Sequence, residues 1–308
     1  MEQDKLQPSL SASLRVVGVS RGSEFSPNHV GNDEAIFRLV CEQLRRCGFR
    51  VETYAEREFV EQGVEADVVV SMARDKATLE RLKRLEQGGA LVVNSAYGVE
   101  NCVRRAMTER LLAHGIAHPA SVLLDLSGPT EAVVDRLTDA LQAQGVAAFP
   151  CWIKRGDSHA LVKADVSFAA DRQEALAILT DFRQRDIPTA VVNVHLCGDL
   201  VKFYGVEGTD FFYWFYPSPC THTKFGLEAI NGEARGYAFD VEALRRECHR
   251  AARILRVPVY GGDCVVSAQG DYKIIDFNDW PSFARCREEA GPQIAACIAG
   301  LARLKTEQ

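Results

Sequence analysis

The chain has 308 residues, 47% apolar and 25% charged, with 36 basic against 42 acidic side chains and a formal net charge of −6. That length calls for two or three compact units whose interiors need no covalent staples, which excludes a single small module. The mild acidity supplies no basic stripe to neutralise phosphates along a duplex, so the expected partner is a small molecule and not nucleic acid.

Residues 1–12 are polar and read as a loose tail. An apolar strand is predicted over 15–20. A helix follows over 33–47, where Ala35, Ile36, Leu39, Val40 and Leu44 recur with helical period and Gly48 stands as the C-cap. Strands at 50–55 and 67–72, a helix at 76–86, a strand at 90–94 and a long helix at 101–114 complete an alternation that indicates a parallel sheet. Residues 13–118 form this first α/β unit.

From Pro119 the rhythm changes. A strand (120–124) and a helix (130–144) precede strands at 151–155 and 164–169 and a helix at 171–185, an α+β unit over 119–186. Residues 187–308 carry mostly antiparallel strands at 190–194, 201–206 and 211–216. A polar stretch over 221–237 then reads as a mobile loop, with Lys224, Glu228, Asn231 and Arg235 as candidate contacts. Asp240 can cap a helix over 241–255, a hairpin spans 257–278, and a last helix begins near Pro292, a good first-turn residue. The fold class is therefore α/β, with α+β units behind a parallel sheet.

Ten cysteines are scattered without a Cys-x-x-Cys pair, against zinc and redox motifs. Several sit in apolar runs as small hydrophobes, which suits a reducing cytoplasm. The N-terminal residues lack a signal-peptide layout and no run approaches ~18 apolar residues. A cytoplasmic protein with no membrane partner is expected; monomer and homodimer both stay open.

The most informative stretch runs from Tyr260 to Phe283. With a turn centred on Gln269-Gly270, antiparallel pairing sets Val265 opposite Ile274 and Asp263 opposite Asp276. Asn278, two residues on, points the same way. Directly opposed residues have Cβ atoms only ~4.5–5.5 Å apart, where like charges repel, so a cation is expected on that face. Two carboxylates and an amide oxygen are hard ligands suited to Mg²⁺, which shares its remaining positions with water and substrate phosphates. A solvated acidic strand face is the plainer alternative, but Val265, Ile274 and Ile275 mark a buried hairpin.

Asp263, Asp276 and Asn278, set as Gly-x-Asp, a hairpin, then Asp-x-Asn-x-x-Pro, resemble the metal-binding end of the ATP-grasp superfamily. That superfamily includes glutathione synthetase, D-alanyl-D-alanine ligase, RimK-type ligases and the inositol 1,3,4-trisphosphate 5/6-kinases. The stretch 101–119, ending Gly115-Ile116-Ala117-His118-Pro119, is similar to its helix and Gly-Ile-Pro-x-Pro segment. The nucleotide-contacting lysine common in that helix is replaced here by Arg104 or Arg105. Pro150-Cys-Trp-Ile-Lys154 resembles the strand whose lysine holds the α- and β-phosphates, and Lys202 resembles the basic residue on the strand after the hinge. Residues 156–160 match the loop over the phosphates, where His159 resembles the Ser-His of inositol phosphate kinases. At the hinge the usual acidic residue is absent, and Asn193 and His195 stand as adenine-side contacts beside the strand's own backbone groups.

The resemblance implies an ATP-grasp fold, with a preATP-grasp unit followed by two α+β subdomains that clamp ATP. It also implies phosphoryl transfer from ATP with Mg²⁺, for which Mn²⁺ could substitute. Arg105 and Lys154 would contact nucleotide, Lys202 and Asp276 would serve the reaction, and Arg21, Ser26, Asn28 and His159 would meet an anionic acceptor. Arg74 and the pair Asn94-Ser95 also follow strands that end toward the same cleft. A carboxylate–amine or –thiol ligase acting through an acylphosphate is the leading expectation. The form Asp-x-Asn-x-x-Pro, with Gly261 two residues before Asp263, draws toward a kinase acting on a hydroxyl. The third alternative is a nucleotide-binding regulator without turnover.

Overall fold

A computed structural model describes residues 14–25, 30–160, 162–217 and 230–307. Three four-stranded sheets organise the described residues. The first joins β1 (Val16–Ser20), β2 (Val51–Ala55), β3 (Val68–Ser71) and β4 (Leu91–Val93) in the parallel order β2-β1-β3-β4. A parallel sheet is covered on both faces, which is why β3 is a continuous buried run. Val16, Val68 and Val70 face helix α1 (Val30–Arg46), while Val17 and Val69 face α2 (Glu56–Glu61), α3 (Lys76–Gln87) and α4 (Ala96–Asn101). Gly48 closes α1 with φ of 92°, as its place after the helix suggests. Helix α2 went unread because its six residues are too few to display a period.

The expected long helix over 101–114 is instead α4 and α5 (Arg104–Ala113), broken where Val103 is extended. Gly98 lets α4 approach the Arg256 carbonyl, where a Cβ would stand 2.3 Å from the oxygen. Helix α5 leaves the first unit altogether. Its Met107 and Leu111 enter the core of the third sheet with Val201, Leu244, Cys248 and Phe277.

The middle sheet joins β5 (Ser121–Asp125), β6 (Cys151–Arg155), β7 (Val166–Ala169) and β8 (Thr189–Val194) in the antiparallel order β5-β8-β6-β7. Helices α6 (Thr130–Ala143) and α7 (Arg172–Gln184) pack on it through Val133, Leu137, Leu179 and Phe182. Because β8 hydrogen-bonds to β5 and β6, the chain passes to the third sheet after Val194, later than the boundary expected at 186–187.

The third sheet joins β9 (Asp199–Val206), β10 (Phe212–Phe215), β11 (Val259–Val266) and β12 (Tyr272–Asp279) in the order β10-β9-β11-β12, with α8 (Val241–Leu255) behind it. The side chain of Asp240 caps α8 by accepting from the Ala243 N–H at 2.8 Å. The part of the expected loop over 230–237 is anchored: Asp199 accepts from the N–H groups of Arg235 and Tyr237 at 2.7 and 2.8 Å. Residues 221–229, with Lys224 and Glu228, lie outside the described residues, as do 1–12. Helix α9 (Arg287–Thr306) begins five residues before Pro292 and packs against α1 with Ile294, Ile298 and Ala302. No helix among the described residues is long and apolar enough to cross a membrane, and the described cysteines are free thiols.

Gly198 makes the passage between the second and third sheets, with φ of 154° and its Cα so close to β11 that a Cβ would stand 2.2 Å from the Val266 oxygen. Gly198→Ala is expected to lower the stability by an overpacking cost of about 1–3 kcal/mol, read as a lower urea midpoint; an unchanged midpoint would mean that β11 yields freely there.

Candidate active site

A cavity of about 320 Å³ opens between the second and third sheets, within the range of small-molecule sites. Its floor is the third sheet. Asp263 on β11 stands directly opposite Asp276 on β12 and, on its other side, opposite Lys202 on β9. The expected facing of the two acids is present, but the turn expected at Gln269-Gly270 is not what produces it. The loop is one residue longer, three residues over 268–270, with Ser267 N–H donating to the Asp271 carbonyl, so that Val265 faces Lys273 and Cys264 faces Ile274. A β-bulge at Ile275 then restores the register at the acids. The bulge also turns backbone groups outward: Ile274 N–H donates to Ala117 O at 2.7 Å and the Ile275 carbonyl accepts from Lys154 Nζ at 3.2 Å.

Cations meet each acid, as the repulsion argument requires. Lys202 Nζ donates to both Asp263 oxygens at 3.2 and 3.3 Å. Arg104 lies 3.4 Å from Asp276, to which Asn278 also hydrogen-bonds. Burial opposes the charge of Asp276, but Arg104, Lys154 and the Asn278 hydrogen bond outweigh it and bring its pKa down to about 2. Asp263, Asp276 and Asn278 thus form one oxygen-donor cluster. Of the two helix arginines, Arg104 lines the cavity; Arg105 does not, and its backbone N–H instead holds the Gly156 carbonyl at 3.1 Å.

The roof comes from the second sheet. Lys154 is buried on β6, where desolvation and the neighbouring Arg104 lower its pKa to about 7 against the partial compensation of Asp276 and Asp263. Asn193 is buried with its amide donating to Ser121 Oγ at 2.8 Å. His195 follows β8, and its Nδ1 accepts from the Trp152 indole N–H at 3.1 Å. An indole nitrogen can only donate, so the neutral imidazole carries its proton on Nε2. Both residues line the cavity where the resemblance places the nucleobase. His159 is not a solvent-exposed loop residue: its Nε2 is buried and unpartnered, and burial together with Arg74 lowers its pKa to about 3.

Arg21 is corrected. Its three guanidinium nitrogens are engaged by the Met72 carbonyl, Asp33 and the Trp280 carbonyl at 3.0–3.1 Å, and it also lies 3.5 Å from Asp279, so its guanidinium is committed to bracing the protein. Ser26 and Asn28 lie outside the described residues. Asn94 is corrected likewise: it exchanges two hydrogen bonds with the backbone of Val259, and Ser95 bonds to Glu86. Arg74 does reach the cavity, held by Asp279 at 2.7 Å. Asp279 escaped sequence reading because it follows Asn278 and so falls outside the alternation of Asp276 and Asn278. The only sequence signal was an apolar strand ending in an acid. Burial opposes its charge, while Arg74 and Arg21 hold its pKa below the ordinary carboxylate value.

The sequence matches no protein-family model and no curated protein. Among solved structures, a D-alanine–D-alanine ligase from Bacillus anthracis complexed with ATP is 12% identical with a TM-score of 0.66, over 96% of this chain and 99% of that one. The ATP-grasp ligase PsnB, complexed with minimal precursor, Mg and ADP, is 16% identical with a TM-score of 0.58, over 94% and 98%. A RimK domain ATP-grasp protein from Sphaerobacter thermophilus is 16% identical with a TM-score of 0.63, over 93% and 98%. The chain has the ATP-grasp fold, and the expectation drawn from its metal-end motif holds at that level.

Breaking the arginine clamp by Asp279→Ala leaves two buried guanidinium groups without their shared anion, and chemical denaturation should register a loss of about 3–5 kcal/mol. Lys154 gives a pH signature. Between its folded pKa of about 7 and the ordinary 10.5 the unfolded chain holds a proton that the folded chain has lost. Stability therefore rises with pH across that window. Lys154→Met should flatten this rise in denaturation series from pH 7 to 10.

Proposed function

We propose that this chain is an ATP- and Mg²⁺-dependent ligase, which activates a small-molecule carboxylate as an acylphosphate and joins it to an amine or thiol. The observation that carries this reading is the gathering of Asp263, Asp276 and Asn278 with Lys202 beside them, Arg104 against Asp276 and Lys154 from the opposite sheet, all lining one cavity. The donor set fits Mg²⁺: hard oxygens only, on adjacent strands, with few enough protein ligands to leave places for phosphate oxygens. Bound there, Mg²⁺ would offset phosphate charge, with Mn²⁺ as a substitute.

The protein's own part is positioning and charge compensation. Lys154 approaches from the roof and Lys202 from the floor, each placed to meet phosphate oxygens. An arriving anion favours the charged form of Lys154, so nucleotide restores the proton that burial removes. Asn193 and His195 line the nucleobase end of the cavity. A carboxylate oxygen of the acceptor attacks the γ-phosphorus as the bond to the β-phosphate oxygen breaks and ADP leaves. The amine then attacks the acyl carbon, phosphate departs, and the amine's proton is released.

The kinase alternative draws support from one observation. Arg74, Arg104, Lys154 and Lys202 line the cavity against Asp263 and Asp276, so an acidic chain carries a cation-rich cleft. Hydroxylamine separates the readings because it intercepts an acylphosphate as a hydroxamate and leaves a phosphoester untouched. Incubated with Mg²⁺, ATP, pooled metabolites and hydroxylamine, the protein is expected to release ADP with hydroxamate. A stable phosphoester would make it a kinase, and nucleotide uptake without ADP a regulator. Asp276→Asn should cut ADP formation at least a hundredfold while the far-ultraviolet circular dichroism stays unchanged; retained turnover would remove the proposed metal site.

A further inference from the structure

The run from Phe211 to Tyr216 sets six aromatic residues in succession. Alternation along β10 sends Phe212 and Trp214 to the interior, Phe212 stacked on Phe203 at 6.0 Å and Trp214 edge-on to Phe239 at 5.1 Å. Tyr213 and Phe215 take the opposite face, the one that carries the acids. Two rows cross the sheet there in register: Phe215, Lys202, Asp263, Asp276, and beside it Tyr213, Tyr204, Gly261, Asn278. This face is thus polar on β11 and β12, aromatic on β10, and mixed on β9, where Lys202 and Tyr204 lie side by side. Gly261 keeps the boundary open, since a Cβ there would stand 2.8 Å from both Tyr204 and Pro281.

The aromatic half is a continuous shelf. Tyr204 lies 5.7 Å from Phe215 and stacks on Tyr213 at 6.5 Å, while Tyr213 and Phe215 are 5.8 Å apart. All three are only half-buried, and Tyr204 also lines the cavity. Arg285 lies over the Phe215 ring at 4.3 Å, is exposed, and has no hydrogen-bond or ion-pair partner among the described residues. Stacking fixes the plane of a guanidinium and leaves its N–H edge for an anion. Phe215 is two strand spacings, about 10 Å, from Asp263.

We infer that this shelf is the acceptor subsite, and that it takes a carboxylic acid built on an aromatic ring with a second anionic group for Arg285. The inference rests on the ligase reading and adds the substrate class. A ring set into the angle between Tyr204 and Phe215, which are inclined by 52°, gains aromatic contacts that an aliphatic chain cannot match, and its reacting carboxylate points along the row toward Lys202 and Asp263. A ring also loses little conformational freedom when bound, whereas a flexible diacid must be ordered.

The test is titration of terephthalate, benzoate and adipate into protein saturated with Mg²⁺ and a non-hydrolysable ATP analogue. Terephthalate is expected to bind at least tenfold more tightly than adipate, and more tightly than benzoate. Phe215→Ala should erase the preference over adipate, and Arg285→Gln, at an exposed position, should erase the preference over benzoate; the analogue's own affinity should stay unchanged in both. If the analogue does not bind, the nucleotide reading itself fails. If it binds but adipate equals terephthalate, or if neither variant alters the ranking, the aromatic acceptor subsite is overturned. Should Phe215→Ala not fold, Phe215→Leu and Arg285→Gln decide the question.

Discussion

Everything at the cleft depends on holding two carboxylates side by side on neighbouring strands. Left alone they would repel each other at a separation that a sheet dictates and cannot relax. The structure resolves this with Lys202 on the adjoining strand, Arg104 from a helix and Lys154 from the opposite sheet. The cations in turn are tolerated because the acids are there, Lys154 only just, since burial leaves its charge marginal near neutral pH. The site is a set of mutually required charges, and a polyphosphate with its metal would re-sort those pairings without changing the total greatly.

A second constraint binds the units to one another. Asp279, immediately after the oxygen-donor cluster, is shared by Arg21 and Arg74 of the first unit. The strand that presents Asp276 and Asn278 is therefore clamped at its end by the unit expected to shape the acceptor side. The first unit is thus tied to the strand of the oxygen-donor cluster through two guanidinium groups, Arg21 held within the protein and Arg74 lining the cavity.

The sequence made much of this legible where periodicity or spacing carried it. Val16 to Ser20 and Val241 to Leu255 show their class through runs and amphipathic period, and the hairpin that carries Asp263 and Asp276 shows itself through its two apolar strands about a glycine turn. Illegible were features created by tertiary contact. The bulge at Ile275 is stabilised by Ala117 and Lys154, residues more than a hundred positions away, and no local pattern announces it. Arg21 looked like a loop arginine awaiting an anion because its four protein partners come from three distant segments. Arg104 and Arg105 were indistinguishable until the helix axis was known, and β8 joined the middle sheet because its partners are β5 and β6, a choice its own residues do not encode.

The packing of α9 on α1 carries a consequence for biosynthesis. Helix α1 alone covers only part of one face of the first parallel sheet, and the cluster is closed when Ile294, Ile298 and Ala302 of α9 join it. The first unit therefore keeps an apolar flank uncovered until residues 287–306 have been made. During that interval the nascent chain is a natural client for chaperones, and a truncated transcript would yield a sticky fragment in place of a usable half.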